Sequence, residues 1–352
     1  MGDFATLVVQ WQKTHGRNQL PWQNTRDPYR VWLSEIMLQQ TQVATVKAYF
    51  ARFLARCPDV ASLAAASLDE VLGLWSGLGY YSRARNLHRC AQDVMQLHGG
   101  RFPQDAQTLQ TLPGIGRSTA AAIASLCFSE RVAILDANVK RVVTRVQGFD
   151  ADVALAANAR ALWDVATALL PAPKRAAQDM ARYTQGMMDL GATVCTPKKP
   201  QCELCPAQQL CVAAKLGEPT RFPVRSRTLK RSSQAIWMLW AQTRNGAVWL
   251  SRRPTPGVWA GLYCLPLFDS EQALRLALPP AALEHLQCEP AFTHVLTHKD
   301  LHLHACRVAL TSKTLLDGGP GKEGGDGRWV SAEEWPGLGL PAPIRKLLSR
   351  VD

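Results

Sequence analysis

The sequence predicts an α+β multidomain fold: an all-α domain over residues 1–216, a basic connector over 217–233 and a smaller α+β domain over 234–352. Three observations carry this. Apolar residues recur at helical spacing from Phe4 as far as Leu190, four cysteines crowd between Cys195 and Cys211, and beyond Ser233 the apolar pattern changes to a period of two. A length of 352 residues leaves room for two cores, and 47% hydrophobic residues is ordinary for a globular protein. The formal charge of +12 points to a polyanionic partner or surface, although charge alone does not separate DNA from RNA or acidic lipid. No apolar run approaches the ~18 residues that span a bilayer, and Asp3 breaks any basic-then-apolar leader pattern. A cytoplasmic protein with no membrane partner is therefore expected.

Phe4, Leu7, Val8 and Trp11 have the spacing of an amphipathic first helix. Trp22 and the turn Arg26-Asp27-Pro28-Tyr29 lead into a second helix-period segment, Val31 to Val43, in which Glu35 is the odd member. Val31, Trp32 and Leu38 are its i−4, i−3 and i+3 neighbours, so its carboxyl is expected against apolar surface. Desolvation raises a carboxyl pKa, and a glutamate kept protonated near neutrality can act as a general acid. A solvated helix-face glutamate is the alternative. Between Leu63 and His98 further helices are interrupted by Gly77-Leu78-Gly79-Tyr80-Tyr81, with Arg83, Arg85 and Arg89 following. Rings beside cations suit stacking on bases while phosphates are held, and they suit plain packing too.

The stretch Leu112 to Asn138 is a turn, a helix and then an acid. Gly114 and Gly116, one residue apart before an Ala-rich helix, let the backbone take positive φ and approach another molecule closely. The first N–H groups of that helix lack intrahelical partners and sit at the positive end of its dipole, a corner suited to a phosphate oxygen. An ordinary helix connection would read the same way. What adds weight is Asp136-Ala137-Asn138-Val139, which places an acid after the strand-like apolar run Val132 to Leu135. A carboxylate held beside a phosphate-binding corner suggests work on nucleic acid.

Helices resume between Val153 and Leu190 and lead directly to Cys195-x6-Cys202-x2-Cys205-x5-Cys211. Four thiolates there suit either a four-cysteine zinc site or an iron–sulfur cluster, and only one close pair is present where a zinc ribbon has two. The other six cysteines read as lone buried thiols. Eight Lys or Arg against Glu203 and Glu218 between Cys195 and Arg231 make the connector a basic strip. Then Ile236 to Gln242, Asn245-Gly246 and Ala247 to Arg252 predict a hairpin with a type I′ turn. Strands over Ala291 to Leu310, helices over Ser270 to Ala277 and Ala342 to Val351, and the Gly-rich loop Gly318 to Gly327 complete the second domain. His294, His298, His302 and His304 raise the thought of a metal site, but no acid or cysteine pattern completes a ligand set.

The motifs LPGIGRSTA (112–120) and LDANVKRV (135–142) resemble those of the helix-hairpin-helix DNA glycosylases, the endonuclease III superfamily, and four further stretches fit its MutY branch of adenine glycosylases. This resemblance implies a monofunctional glycosylase that removes adenine mispaired with 8-oxoguanine or guanine in duplex DNA, working as a monomer on the nucleoid. SEIMLQQTQV (34–43) is similar to the segment whose glutamate protonates the departing adenine, which makes Glu35 the acid; Asp136, as carboxylate, would stabilise or trap the cationic sugar. Tyr80 takes the place of a wedge pushed into the base stack, with Gln40 and Thr41 at the gap and Gly114, Gly116, Ser118 and Asn138 along the DNA. Trp22 and Gln185 match positions lining the adenine pocket. Ser118 stands where the strand-cleaving relatives carry a lysine, so the implied product is an intact strand. The cysteine spacing matches the family's [4Fe–4S] loop. The order of the second domain resembles a Nudix fold without its acidic Mg²⁺-binding helix, implying lesion recognition in place of hydrolysis. Leu296-Thr297-His298 occupies the place of a Phe-Ser-His loop, leaving Thr297 and His298 to hydrogen-bond the lesion.

Overall fold

A computed structural model describes residues 3–23, 25–226, 231–311 and 327–350. Twelve helices come first: α1 Phe4–His15, α2 Pro28–Leu38, α3 Val43–Arg56, α4 Val60–Ala65, α5 Leu68–Trp75, α6 Ser82–His98, α7 Ala106–Leu109, α8 Arg117–Phe128, α9 Ala137–Gln147, α10 Ala156–Ala168, α11 Ala176–Thr193 and α12 Val212–Lys215. The strands β1 Ser232–Gln242, β2 Val248–Arg252, β3 Tyr263–Cys264 and β4 Leu267–Phe268 follow. Helices α13 Glu271–Leu276 and α14 Pro280–Leu283, strands β5 Gln287–Cys288, β6 Phe292–Val295, β7 Lys299–Ala309 and β8 Arg328–Val330, and helix α15 Ala342–Leu348 end the chain. Two compact units result, Met1–Ala65 with Asn86–Thr228 and Ala66–Arg85 with Leu229–Asp352. The short segment carrying Tyr80 thus belongs to the unit built mainly from the C-terminal part.

The helical unit starts where local chemistry says it should. Asp3 caps α1 by accepting from the Thr6 N–H at 2.7 Å, and Asp27 caps α2 by accepting from Tyr29 at 3.0 Å, with Pro28 in the first turn. One core joins Phe4, Val8 and Trp11 of α1 to Ala121 of α8, Val139, Val142 and Val146 of α9, Leu162 of α10, and Met180, Tyr183 and Leu190 of α11. Two sequence expectations change here. The second helix stops at Leu38 and does not reach Val43, because Gln40 adopts φ +58, which no right-handed helix accommodates. Val132 to Leu135 forms no strand; Ala133, Ile134 and Leu135 are buried as an irregular segment against helices, a distinction that a short apolar run does not encode.

In the other unit β1 runs parallel to β7 along its whole length, from Ser232 opposite Lys299 to Gln242 opposite Ala309. They are the middle of an eight-stranded sheet ordered β3-β2-β1-β7-β5, with β4, β6 and β8 paired alongside. The sheet is buried on both faces. Ile236, Met238 and Trp240 with Leu301, Leu303 and Ala305 pack on Ile344 and Leu347 of α15, while Leu239, Ala241 and Val308 pack on Leu274 of α13 and on Ala282 of α14. The β1–β2 connection runs from Thr243 to Ala247 with positive φ at Gly246 but not at Asn245, so the type I′ turn is not formed. Cys288 and Cys306, expected as lone thiols, are joined in a disulfide because antiparallel pairing of β5 with β7 sets them directly opposite. Apart from Gly327, the Gly-rich loop lies outside the described residues.

Candidate active site

The loop after α7 and the start of α8 form a hairpin whose two glycines act differently. Gly114 has φ +76, and a Cβ there would meet the Asn86 Cβ at 2.7 Å. Gly116 needs no positive φ: it is the N-cap of α8 at φ −82, with nothing within 4 Å of where its Cβ would stand. Its small size serves open space outside the protein, next to unpaired helix N–H groups. Gly114→Ala is accordingly expected to lower thermal stability by an amount equivalent to ~2 kcal/mol, whereas Gly116→Ala should shift it by less than ~1 kcal/mol. Calorimetry on the two variants checks this.

Ser118, on the first turn of α8, accepts a hydrogen bond from the Leu135 N–H at 3.0 Å. This fixes the irregular segment that delivers Asp136 to the N-terminus of α9. Asp136 is itself the N-cap, accepting from the Val139 N–H at 2.7 Å, so its carboxylate sits on the positive end of a helix dipole. Burial raises its pKa, against the opposing influence of the Val139 and Asn138 N–H groups and the charges of Arg141 and Lys140. Among the described residues no such donor favours the carboxylate of Glu35, on α2. Burial, followed by the negative charge of Asp136, pushes its pKa up to about 7. Burial raises both carboxyls, but only Asp136 has N–H groups and cations that favour its ionised form, a division that suits an acid and an anionic stabiliser.

Both carboxyls line one cavity of about 830 Å³, with Trp22, Gln40, Thr41, Ser118, Asn138 and Gln185 also in its wall. Glu35, Trp22 and Gln185 have a second side, on an adjoining cavity of about 320 Å³ that Arg26 and Arg182 also border. Trp22 is buried edge-on against Phe50, a rigid wall. Gln185 donates to Asp189 at 3.0 Å, and Asp189, fully buried, is clamped by the Arg17 guanidinium at 2.8 Å and its backbone N–H at 3.0 Å. Nothing in the sequence marked Arg17 and Asp189, since their pairing spans almost the whole helical unit.

Tyr80, Thr297 and His298 belong to the unit of Ala66–Arg85 and Leu229–Asp352, where the Tyr80 hydroxyl is hydrogen-bonded to the Thr297 hydroxyl. Both residues and His298 line a cavity of about 900 Å³. Of the other three histidines singled out in the sequence, His294 lines the same cavity, His304 stacks on Trp237 at 4.3 Å, and His302 pairs with the Thr293 hydroxyl at 3.2 Å. Glu271 of α13 is paired with Arg275 at 2.8 Å. Cys195, Cys202, Cys205 and Cys211 face one small apolar cavity floored by Val142, Val146 and Leu190. The buried Arg145 guanidinium donates to the Cys195 sulfur at 3.3 Å. Among the described residues, no three His, Cys, Asp or Glu converge on a point that one metal ion would occupy.

Residues 33–165 match the HhH-GPD superfamily of base excision DNA repair proteins, and residues 236–350 match the NUDIX domain family. The solved structure of a thermostable thymine-DNA glycosylase is similar to the chain at TM-score 0.54 and 31% identity, over 60% of this chain and 95% of that one. A trapped covalent endonuclease III–DNA intermediate shares the fold at TM-score 0.50 and 22% identity, over 60% and 94%. The hairpin, the half-buried carboxyl pair and these similarities define an HhH-GPD base excision repair protein with a Nudix-like C-terminal domain. Full-length relatives narrow this. The chain is 33% identical to the adenine DNA glycosylase of Buchnera aphidicola subsp. Acyrthosiphon pisum over 98% of its own length and 96% of the relative's. To that of Mus musculus it is 34% identical, over 99% and 78%. It belongs to the adenine DNA glycosylase family.

Proposed function

We propose that this chain hydrolyses the N-glycosidic bond of adenine mispaired with 8-oxoguanine or guanine in duplex DNA and leaves the strand intact. The observation that carries it is the pairing of Glu35 with Asp136 across one cavity, the first shifted to about 7. Adenine leaves poorly as an anion, so a protonated Glu35 supplies the main chemical demand, and the Asp136 carboxylate opposes the charge of the oxocarbenium-like sugar. The target nucleotide must leave the stack to reach them, at a cost of a few kcal/mol. On this reading the larger cavity takes the sugar and the smaller one, walled by Trp22 and Gln185, takes the base. Gly114, Gly116 and the α8 N-terminus hold phosphate, Gln40, Thr41 and Asn138 contact the strand beside it, and Tyr80 fills the gap.

Ser118 has a hydroxyl already engaged with Leu135 and no amine to attack C1′, so water completes the reaction. The domains are read as 1–216 for catalysis, 217–233 as a basic connector along the backbone, and 234–352 for the lesion, where Thr297 and His298 offer hydrogen bonds. Cys195, Cys202, Cys205 and Cys211 would hold a [4Fe–4S] cluster. Four cysteines lining one small cavity, with a single close pair in the x6, x2, x5 spacing, support this reading. Its role would be structural, tying the chain between α11 and α12. We read the chain as a monomer acting on the nucleoid; among the described residues no helix is long and apolar enough to cross a membrane.

A single-turnover assay on A:8-oxoguanine, A:G and oxidised-pyrimidine duplexes tests the reading. Adenine release from the first two, with no strand nick before alkali, is expected. Release of a damaged pyrimidine with nicking would favour an endonuclease III-like lyase, and binding without release would leave a non-catalytic DNA-binding protein. Anaerobically purified protein should absorb near 400 nm; stoichiometric zinc without iron would overturn the cluster assignment.

A further inference from the structure

Only four non-glycine residues among those described have φ in the left-handed region: Gln40 (+58°), Tyr80 (+48°), Ser129 (+59°) and Trp259 (+59°). Ser129 closes α8 as its C-cap, a position where that conformation is routine. Gln40 lines the cavity of Glu35 and Asp136. Tyr80 and Trp259 both line the 900 Å³ cavity of the C-terminal unit. A glycine or asparagine would serve the turn at Trp259 at lower cost, and bulky left-handed residues concentrate where a side chain is wanted in a particular place.

The surroundings of Trp259 are built rather than loose. Arg85 donates to the Ala260 carbonyl at 2.7 Å and so holds the loop that carries the indole. Arg231 holds the facing loop, donating to the carbonyls of Leu296 at 3.1 Å and Thr297 at 3.0 Å and pairing with Asp300. The indole is half-buried, and the His294 ring lies 6.1 Å away at 48°. Burial lowers the His294 pKa, so that imidazole is a neutral, ring-shaped neighbour. Leu296 on the facing loop offers no π-face. Thr297, hydrogen-bonded to Tyr80, supplies the polar edge. An aromatic face, a neutral ring and a hydroxyl around a space of this size suit a purine with a polar edge.

We propose that Trp259 is the aromatic face of the pocket that reads the base opposite the excised adenine, with His294 beside it and Thr297 at the polar edge. This rests on the C-terminal unit being the lesion reader. The test uses the full chain. In single-turnover adenine release, Trp259→Leu should reduce the rate on A:8-oxoguanine by about 10-fold and collapse the preference over A:G, while Trp259→Phe keeps most of it. Trp237→Phe, which alters an indole stacked on His304, should leave the preference as in wild type. A second readout places 2-aminopurine opposite a non-cleavable adenine analogue: binding should quench it in wild type and in Trp237→Phe, but far less in Trp259→Leu. If the leucine chain does not fold, as judged by thermal unfolding, Trp259→Met takes its place. Equal loss on both duplexes with quenching retained would overturn the role of Trp259. A wild type that releases adenine without preferring 8-oxoguanine would instead overturn the lesion-reading role of the unit.

Discussion

Glu35→Gln is expected to lower single-turnover adenine release by about 10²–10⁴-fold while duplex binding persists, because the amide keeps the shape of the acid and cannot donate its proton. Retention of more than a few per cent of wild-type rate would remove Glu35 from its assigned role. The pH dependence carries a sign that can be worked out. Only the protonated acid works, and with a pKa of about 7 the wild-type rate should fall as pH rises through that value. The same shift governs stability. The folded protein binds this proton more tightly than the unfolded chain, whose glutamate has the ordinary value of 4.5, so the stability associated with Glu35 is full below 4.5 and is lost as pH rises through about 7. The difference is on the order of 3 kcal/mol at most. Glutamine removes it, so Glu35→Gln should gain stability relative to wild type at pH 8 and not at pH 4. Thermal unfolding at the two pH values measures this directly, independently of activity.

Asp136→Asn should cost about 10²–10³-fold in the same assay, through loss of the charge that opposes a cationic transition state. Asparagine is as good an N-cap as aspartate, so the bond from the Val139 N–H and the start of α9 should survive. A further consequence follows from the carboxyl pair. The Asp136 charge is one of the two causes of the raised Glu35 pKa, so removing it should move the alkaline limb of the residual activity to lower pH. A large loss with an unmoved pH profile would mean that the two groups do not sense one another.

Much of this site was legible because its signals are local. Gly114 and Gly116 announce a turn, Asp136 stands as an acid after the apolar run Val132 to Leu135, and the apolar neighbours of Glu35 on its helix already place it against hydrophobic surface. What stayed hidden depends on partners distant in sequence. The clamp of Arg17 on Asp189, the pairing of Cys288 with Cys306 and the left-handed backbone of Trp259 are set by packing, and no spacing rule reports them. Val132 to Leu135 reads as a strand because four apolar residues in a row look alike in a strand and in an irregular segment. Gly116 reads as a conformational necessity, yet its backbone is one that any residue adopts, and the space beside it is what distinguishes the position.

The division of the chain into units has a bearing on how it is made. Residues Ala66–Arg85 leave the ribosome well before Leu229–Asp352, the segment that completes their unit, has been synthesised. Within that unit Asp69 pairs with Arg252, Ser76 accepts from Arg345, and the Tyr81 hydroxyl donates to the Leu340 carbonyl, so each anchor waits for a residue made 183 to 269 positions later in the chain. The β1–β7 pair at the centre of the sheet likewise forms only when β7 has emerged. Long-range pairings of this kind are slow to form and leave nascent surface exposed in the interval. Early translation arrest would therefore release a chain in which the aromatic stretch Trp75 to Tyr81 has no structure to join, a predictable substrate for chaperones and proteases.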